Sequence, residues 1–218
     1  MKVVILHGWG HNQSLWVNMS HKLGNDGIVF NMPGFGDEPL IRDDWGVPDY
    51  AKWVEKKISK YNDVVILGHS FGGRVAAEIA SKNNPKIRGA ILTGAPCIYH
   101  PTPLTQIKIL VYKTFKLFLP KNLRKAFYSN DLKQSGKMEK IFRNVVAYDQ
   151  TKQLKKISVP VLLIWGENDK DVPLRIAKEI DRLIKNSELK IIENAGHNTF
   201  LDNPNLFYGY AQKFISNL

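Results

Sequence analysis

A serine between two glycines stands where a buried strand pattern gives way to a helix. The pattern G-x-S-x-G occupies residues 68–72, after the apolar run Val64–Leu67 and at the start of an Ala-rich helical pattern, Phe71–Lys82. To lift its hydroxyl above a sheet, the chain must turn sharply at Ser70, and side chains in place of the two glycines would collide with that turn. The pattern predicts a nucleophile. The alternative is a glycine-rich turn in which the serine caps a helix.

A serine hydroxyl needs a base to take its proton, and the chain has 6 histidines. His197 is the best candidate, because it lies in a loop after the apolar run Leu189–Ile192. The carboxyl end of a strand is where reacting groups gather in an open parallel sheet. His69 adjoins Ser70, so its side chain is expected on the opposite face of the strand, and His7 is expected to order a loop. The alternative for His197 is an ordinary surface-loop histidine.

A carboxylate must then orient the imidazole and stabilise its charged form. Asp169 is the predicted acid and Asp171 the reserve, since both follow the strand pattern Val161–Trp165 in the loop GENDKDVP. Either could instead cap the helix that begins near Pro173, a role that suits Asp171 better. The loop after the preceding strand, residues 93–96, holds no carboxylate. Serine, aspartate and then histidine is the chain order expected for this triad on such a sheet.

Cleavage of an ester also requires backbone N–H groups directed at the developing oxyanion. Phe71 follows the nucleophile and would supply one of them. Trp9 would supply the other, because it lies between Gly8 and Gly10 in a loop that follows the first strand pattern. The Trp9 indole could also line a substrate pocket, although a loop tryptophan is more often simply packed.

The elements that must position these residues alternate along the chain. Short apolar runs typical of strands buried on both faces occur at Val3–Leu6, Gly27–Asn31, Val64–Leu67, Ala90–Leu92, Val161–Ile164 and Leu189–Ile192. Helical patterns lie between most of them, at Ser14–Leu23, Asp49–Tyr61, Phe71–Lys82, Pro173–Ile184 and Pro204–Leu218. The alternation predicts an α/β fold with a mainly parallel sheet of roughly six strands.

A basic segment interrupts the alternation. Residues 98–156 carry 13 of the 31 Lys and Arg but only 3 of the 20 Asp and Glu, which accounts for most of the net charge of +11. The patterns there are helical, so residues 97–157 are predicted to form a basic helical cap inserted into a core made of residues 1–96 and 158–218. Its apolar helix Ile107–Leu119 could roof an acyl chain through Leu110, Phe115 and Phe118, or could simply pack onto the core.

Taken together, these motifs resemble the alpha/beta-hydrolase superfamily: His7-Gly8 before the oxyanion loop, the elbow at residues 68–73, the acid loop from Gly166 to Pro173, and His197. The segments LHGWGHN, with Trp16, and MPGFG, residues 32–36, are most similar to small carboxylesterases of the pimeloyl-acyl-carrier methyl esterase type. Members of the superfamily usually have two further strands before the His-Gly loop. The sheet is therefore expected to lack the usual first two strands, leaving an edge that is bare or covered by a partner.

The resemblance implies a serine hydrolase that cleaves carboxylic esters through an acyl-enzyme and needs neither a metal nor an organic cofactor. A thioesterase, a lactonase or an acyl-carrier methyl esterase would use the same groups. Dehalogenases and epoxide hydrolases of this fold need a carboxylate nucleophile at position 70, so Ser70 argues against both. A non-catalytic ligand receptor on the same fold is the alternative of another class.

The composition of the chain also indicates the cellular compartment in which the protein is expected. No apolar run approaches the ~20 residues that span a bilayer, and no signal peptide is evident. Cys97 is the only cysteine. A cytoplasmic protein without disulfides is therefore expected.

The cap lysines could attract an acidic acyl carrier or an anionic membrane surface, or could merely be solvated. A nucleic-acid role is disfavoured, because the cap's aromatic residues are expected to be buried on helices rather than arrayed for base stacking.

Overall fold

The structure, a computed structural model, describes residues 1–23, 27–99 and 135–218. Within these ranges six strands form one sheet: β1 (Lys2–Leu6), β2 (Ile28–Val29), β3 (Val64–His69), β4 (Ile87–Thr93), β5 (Val161–Gly166) and β6 (Ser187–Ile192). Every neighbouring pair is parallel, and the order across the sheet is β2-β1-β3-β4-β5-β6. The predicted parallel α/β sheet is confirmed.

Helices lie between the strands. The α-helices of the described ranges are α1 (Ser14–Ser20), α2 (Val47–Ile58), α3 (Phe71–Ala80), α4 (Glu139–Ala147), α5 (Thr151–Leu154), α6 (Leu174–Leu183), α7 (Thr199–Asp202) and α8 (Pro204–Ser216). None of them is both long and apolar enough to cross a lipid bilayer.

The sheet is buried on both faces, which explains the continuous apolar runs. Alternate residues of each strand enter two different hydrophobic clusters: Val4 and Leu6 of β1 join one, and Val3 and Ile5 join the other. Helices α2, α3 and α6 cover the first face, and α1 and α8 cover the second.

The strand order contains the switch point that builds a site. The chain passes from β1 to β2 on one side and then returns to β3 on the other side of β1. Loops after β1 and β3 therefore leave the sheet in opposite directions and open a crevice at its carboxyl edge. Leu6 pairs with Gly68, so the loop after β1 begins beside the turn that carries Ser70.

Several predicted boundaries move. The strand expected at Gly27–Asn31 pairs only over Ile28–Val29, at the end of the sheet. Pro173 is not the first helical residue: its ψ of 145° is extended and α6 begins at the next residue. Pro204 does begin α8, where the Asn203 side chain accepts a hydrogen bond from the Leu206 amide.

The described part of the predicted cap is helical and packs onto the core. After a 3₁₀ turn at Gly136–Met138, helices α4 and α5 bury Ile141, Val145 and Leu154 in the cluster on the first face of the sheet. The predicted helix at 107–119 lies outside the described residues. The division into core and cap stays a prediction.

Candidate active site

The turn at Ser70 is strained and held by backbone contacts. Ser70 has φ 51° and ψ −112°, a conformation that an L-residue adopts at a cost of about 1–3 kcal/mol. Its amide donates to the carbonyl oxygen of Thr93, at 2.9 Å, on the neighbouring strand. A Cβ at Gly68 would lie 2.3 Å from the Gly72 oxygen, and one at Gly72 would lie 2.2 Å from the Leu6 oxygen. A larger residue at either position would therefore collide with the backbone, as the sequence pattern predicts.

His197 and Asp169 meet across the loops that follow β5 and β6. The Nδ1 atom of His197 lies 2.9 Å from Oδ2 of Asp169. The Asp169 carboxylate is almost fully buried, and its other oxygen accepts hydrogen bonds from the amides of Asp171 and Val172. Since a carboxylate only accepts, the imidazole carries its proton on Nδ1, which leaves Nε2 free to act as a base when the ring is neutral.

The choice between the two candidate acids follows from these contacts. Asp169 is buried against His197, whereas Asp171 is exposed. Neither carboxylate is at the N-cap of α6, because that position is Pro173, which makes no side-chain capping hydrogen bond to the described residues of the helix. The capping alternative is not supported by this geometry.

Gly94 is a residue that the sequence reasoning passed over. It follows Thr93, has φ +54°, and a Cβ there would lie 2.8 Å from Cε1 of His197. The imidazole therefore rests against the backbone next to the carbonyl that holds the Ser70 amide. The sequence feature that could have identified Gly94 is its position directly after the end of a strand.

The loop after β1 is ordered by His7, as expected. The buried His7 ring lies 2.9 Å from the Gly8 oxygen through Nδ1, and its Nε2 accepts from the Met32 amide at 3.1 Å. Burial lowers the pKa of His7 to about 4, so the ring is neutral near pH 7. The His11 amide then closes a turn onto the Gly8 oxygen, with Trp9 inside it.

The side chains of the two residues predicted to supply oxyanion donors are in contact. The Trp9 and Phe71 rings meet edge to face with centroids 5.5 Å apart. Phe71 directly follows Ser70 and is the first residue of α3, and the first amides of a helix have no partner within it. The role of the two N–H groups at the oxyanion stays a prediction.

Aromatic rings extend from Trp9 on the same side. The indole contacts Phe35 at 5.1 Å and Phe142, on α4, at 5.0 Å between centroids. Phe142 is partly buried and was not singled out from the sequence. The predicted pocket residues Leu110, Phe115 and Phe118 lie outside the described residues, so their role stays a prediction.

Two further histidines lie near His197. The His69 ring is 4.9 Å from the His197 ring, and the His11 ring stacks on His69 at 5.7 Å. Burial lowers the pKa of both His69 and His11, and the proximity of His197 adds to this effect. His69 does point to the second face of the sheet, where it packs against Phe200, but it also reaches the loop of His197.

A metal ion could bind here only by displacing a contact already made. Within the described ranges, Asp169, Asp171 and His197 place possible ligand atoms within 4.8 Å of one another. Two of these residues form the hydrogen-bonded pair described above. A cation at this position would compete with the imidazole for the Asp169 oxygen.

The sheet order, the strained serine and the buried aspartate–histidine pair agree with one family. The sequence profile of the alpha/beta hydrolase family matches residues 3–208 of this chain. This chain belongs to the alpha/beta hydrolase family.

Named relatives within this family are esterases and hydrolases. A pimeloyl-[acyl-carrier protein] methyl ester esterase of Neisseria meningitidis serogroup B is 27% identical over 241 residues, covering 98% of this chain and 92% of that protein. A 2-hydroxy-6-oxononadienedioate/2-hydroxy-6-oxononatrienedioate hydrolase of Cupriavidus pinatubonensis is 24% identical, covering 99% and 86%.

A solved structure confirms the fold. An esterase from Exiguobacterium antarcticum superposes with a TM-score of 0.78 at 22% identity, covering 99% of this chain and 92% of its own. The predicted alpha/beta-hydrolase fold is therefore confirmed, and ester hydrolysis is the chemistry that similarity to the named relatives supports.

Proposed function

We propose that this alpha/beta hydrolase cleaves carboxylic esters with Ser70 as nucleophile, His197 as base and Asp169 as the orienting acid. The observation that carries the proposal is the 2.9 Å contact between His197 Nδ1 and the buried Asp169 carboxylate. It supports a base with a free Nε2, in a loop at the same edge of the sheet as the strained backbone of Ser70. In a catalytic triad, a buried carboxylate on that nitrogen holds the imidazole in the tautomer that can act as a base.

The mechanism follows from these groups. His197 Nε2 takes the Ser70 hydroxyl proton as the oxygen attacks the ester carbonyl, and Asp169 stabilises the imidazolium that forms. The N–H groups of Trp9 and Phe71 stabilise the oxyanion, a contribution of about 2.7–4 kcal/mol for each donor. The imidazolium then protonates the leaving alcohol, and water releases the acyl group by the same steps in reverse. No metal or organic cofactor takes part.

Methyl esters on an acyl carrier are the substrate class that we favour. The relative from N. meningitidis is named for that activity. The basic segment at residues 98–156 would suit an acidic acyl-carrier partner, with an anionic membrane surface as the alternative. A cytoplasmic location fits such a substrate. The same three side chains could also cleave thioesters and lactones.

The test is a panel of p-nitrophenyl esters from acetate to palmitate, measured with the wild type, Ser70→Ala and Ser59→Ala. Ser59 is an exposed serine at the end of α2 and serves as the matched control. Removing the nucleophile should lower kcat by about 10⁶-fold, as loss of a triad serine does elsewhere, while Ser59→Ala should match the wild type.

Two results would contradict the proposal. Turnover retained by Ser70→Ala would mean that another group carries the chemistry. A wild type that binds acyl ligands without turning over any ester in the panel would favour the receptor alternative.

A further inference from the structure

We propose that His69, a residue outside the triad, is a positioning residue that holds His197 in reach of Ser70. The inference rests on the proposed function, because it assigns a role relative to the base of that triad. It starts from one contact: Nε2 of His69 lies 3.2 Å from the backbone carbonyl oxygen of His197.

The contact joins the nucleophile's strand to the base's loop. His69 is the last residue of β3 and precedes Ser70 directly. His197 lies 128 positions further along the chain, in the loop after β6. A hydrogen bond between the two therefore sets the distance between the nucleophile's backbone and the base's backbone without involving the reacting atoms.

The His69 ring is itself fixed in place. It is 1% exposed, and its faces and edges meet Phe200 at 5.0 Å, Trp16 at 6.3 Å and His197 at 4.9 Å between centroids. A ring packed on several sides loses little further freedom when it makes a hydrogen bond, so the bond can transmit position accurately.

The protonation state of His69 follows from its partner. A carbonyl oxygen can only accept, so Nε2 carries the proton. Burial is the main reason that the pKa of His69 lies well below its usual value, so the ring holds this one proton and no charge near pH 7. Its Nδ1 is buried with no hydrogen-bond partner among the described residues. Neutrality matters here, since a cation beside His197 would oppose the imidazolium that catalysis forms.

Two separate contacts thus hold the base. Asp169 binds the ring of His197 through Nδ1, and His69 binds its backbone through the carbonyl oxygen. Loss of the first changes the tautomer, whereas loss of the second leaves the tautomer intact and frees the loop to shift. Loss of the His69 contact is therefore expected to lower kcat and to leave KM unchanged.

The experiment compares His69→Phe with His69→Gln. Phenylalanine keeps an aromatic ring and removes the donor, whereas glutamine places an N–H donor at the same number of bonds from Cα as Nε2. Because a misplacement of 1 Å can lower a rate by ~10²-fold, kcat should fall by about 10- to 100-fold in His69→Phe. His69→Gln should recover most of that loss, with KM nearly constant throughout.

Ser81→Ala is the matched control. The Ser81 hydroxyl donates a buried hydrogen bond, at 2.8 Å, to the Glu78 carbonyl oxygen. Ser81 follows the last residue of α3, at the opposite end of that helix from Ser70. The variant loses one buried hydrogen bond, so it measures the effect of lost stability alone. Because a neutral hydrogen bond contributes about 0.5–1.5 kcal/mol to stability, we expect its kcat to stay within about threefold of the wild type.

The outcomes separate the inference from the proposed function. If Ser70→Ala abolishes turnover but His69→Phe has the same kcat as Ser81→Ala, the triad stands and the positioning role is wrong. Equal loss in the Phe and Gln variants at equal melting temperature also contradicts it. If His69→Phe fails to fold, ¹⁵N NMR of the histidine-labelled wild type decides: a proton on Nδ1 of His69 overturns the inference, and a proton on Nε2 supports it.

Discussion

The two sides of the crevice are built by different means. On the nucleophile side, at the ends of β1 and β3, the backbone sets the geometry: glycines pack against carbonyl groups, and the Ser70 amide bonds to β4. On the base side, in the loops after β5 and β6, side chains set it: Asp169 binds the His197 ring and His69 binds its carbonyl.

This difference separates stability from activity. Altering the nucleophile side should strain a close-packed core, so stability and activity should fall together. Altering Asp169 or His197 should change the chemistry and leave the sheet intact, because both residues lie in loops outside the strands. The nucleophile is thus held by close-packed backbone, whereas the base is held by side-chain contacts that can be changed one at a time.

Among the variants that keep Ser70, the largest effect is expected from Asp169→Asn. The Asn oxygen can keep accepting from the Asp171 and Val172 amides, so the loop should fold normally. Its NH₂ group, however, would donate to Nδ1 of His197 and move the ring proton to Nε2, where a base is needed. We expect kcat to fall about 10⁴-fold, as in other triads, with the melting temperature close to that of the wild type.

Asp171→Asn is the control for charge. It removes one exposed carboxylate from the same loop and leaves the hydrogen bond between Asp169 and the ring in place. Steady-state kinetics should show near wild-type kcat. A comparable loss in both variants would mean that the loop's total charge, rather than the Asp169 contact, sustains the reaction.

On the nucleophile side, Gly72→Ala should act mainly through stability. Its Cβ would meet the Leu6 oxygen at 2.2 Å, and backbone cannot move aside as a flexible side chain can. Overpacking of this kind lowers the free energy of unfolding by about 1–3 kcal/mol, and activity should fall with it. Urea denaturation measures the first quantity and ester turnover the second.

Gly209→Ala provides the opposite case within the same chain. Gly209 lies in α8, and outside its own stretch of helix no atom of the described residues lies within 4 Å of the position that a Cβ would take. Alanine there should raise the free energy of unfolding by about 0.5–1 kcal/mol through helix propensity. A Gly72→Ala protein as stable as the wild type would show that the backbone does not hold the nucleophile rigidly.

The rigid side is also the part that the sequence predicts best. Continuous apolar runs specify a sheet covered on both faces, and the G-x-S-x-G spacing specifies the turn at Ser70. Asp169 and His197 could be chosen because both follow strand patterns. What the sequence does not reveal is the path of a loop, and His69 shows why: strand alternation places its side chain on the far face, but says nothing of the His197 loop that folds over that face.

Other misses have similar physical causes. The predicted strand around residues 27–31 shortens to Ile28–Val29 because only these residues pair with β1. Phe142 carries no motif, and its contact with Trp9 depends on how α4 packs against the core. The basic segment is visible as composition, but composition does not specify which of its side chains face a substrate.

The smallest expected effect concerns acyl selectivity, through Phe142→Ala. The ring extends the aromatic group that includes Trp9, and such a ring pair contributes about 0.5–1.5 kcal/mol. If these rings line the acyl pocket, kcat/KM for long-chain esters should fall by roughly 2- to 10-fold relative to acetate, which is the ratio that corresponds to this energy. Val146→Ala, an exposed position on the same helix, should leave that ratio unchanged. Equal losses for acetate and palmitate would instead mean that Phe142 stabilises the Trp9 loop, which would assign it to the rigid nucleophile side of the crevice.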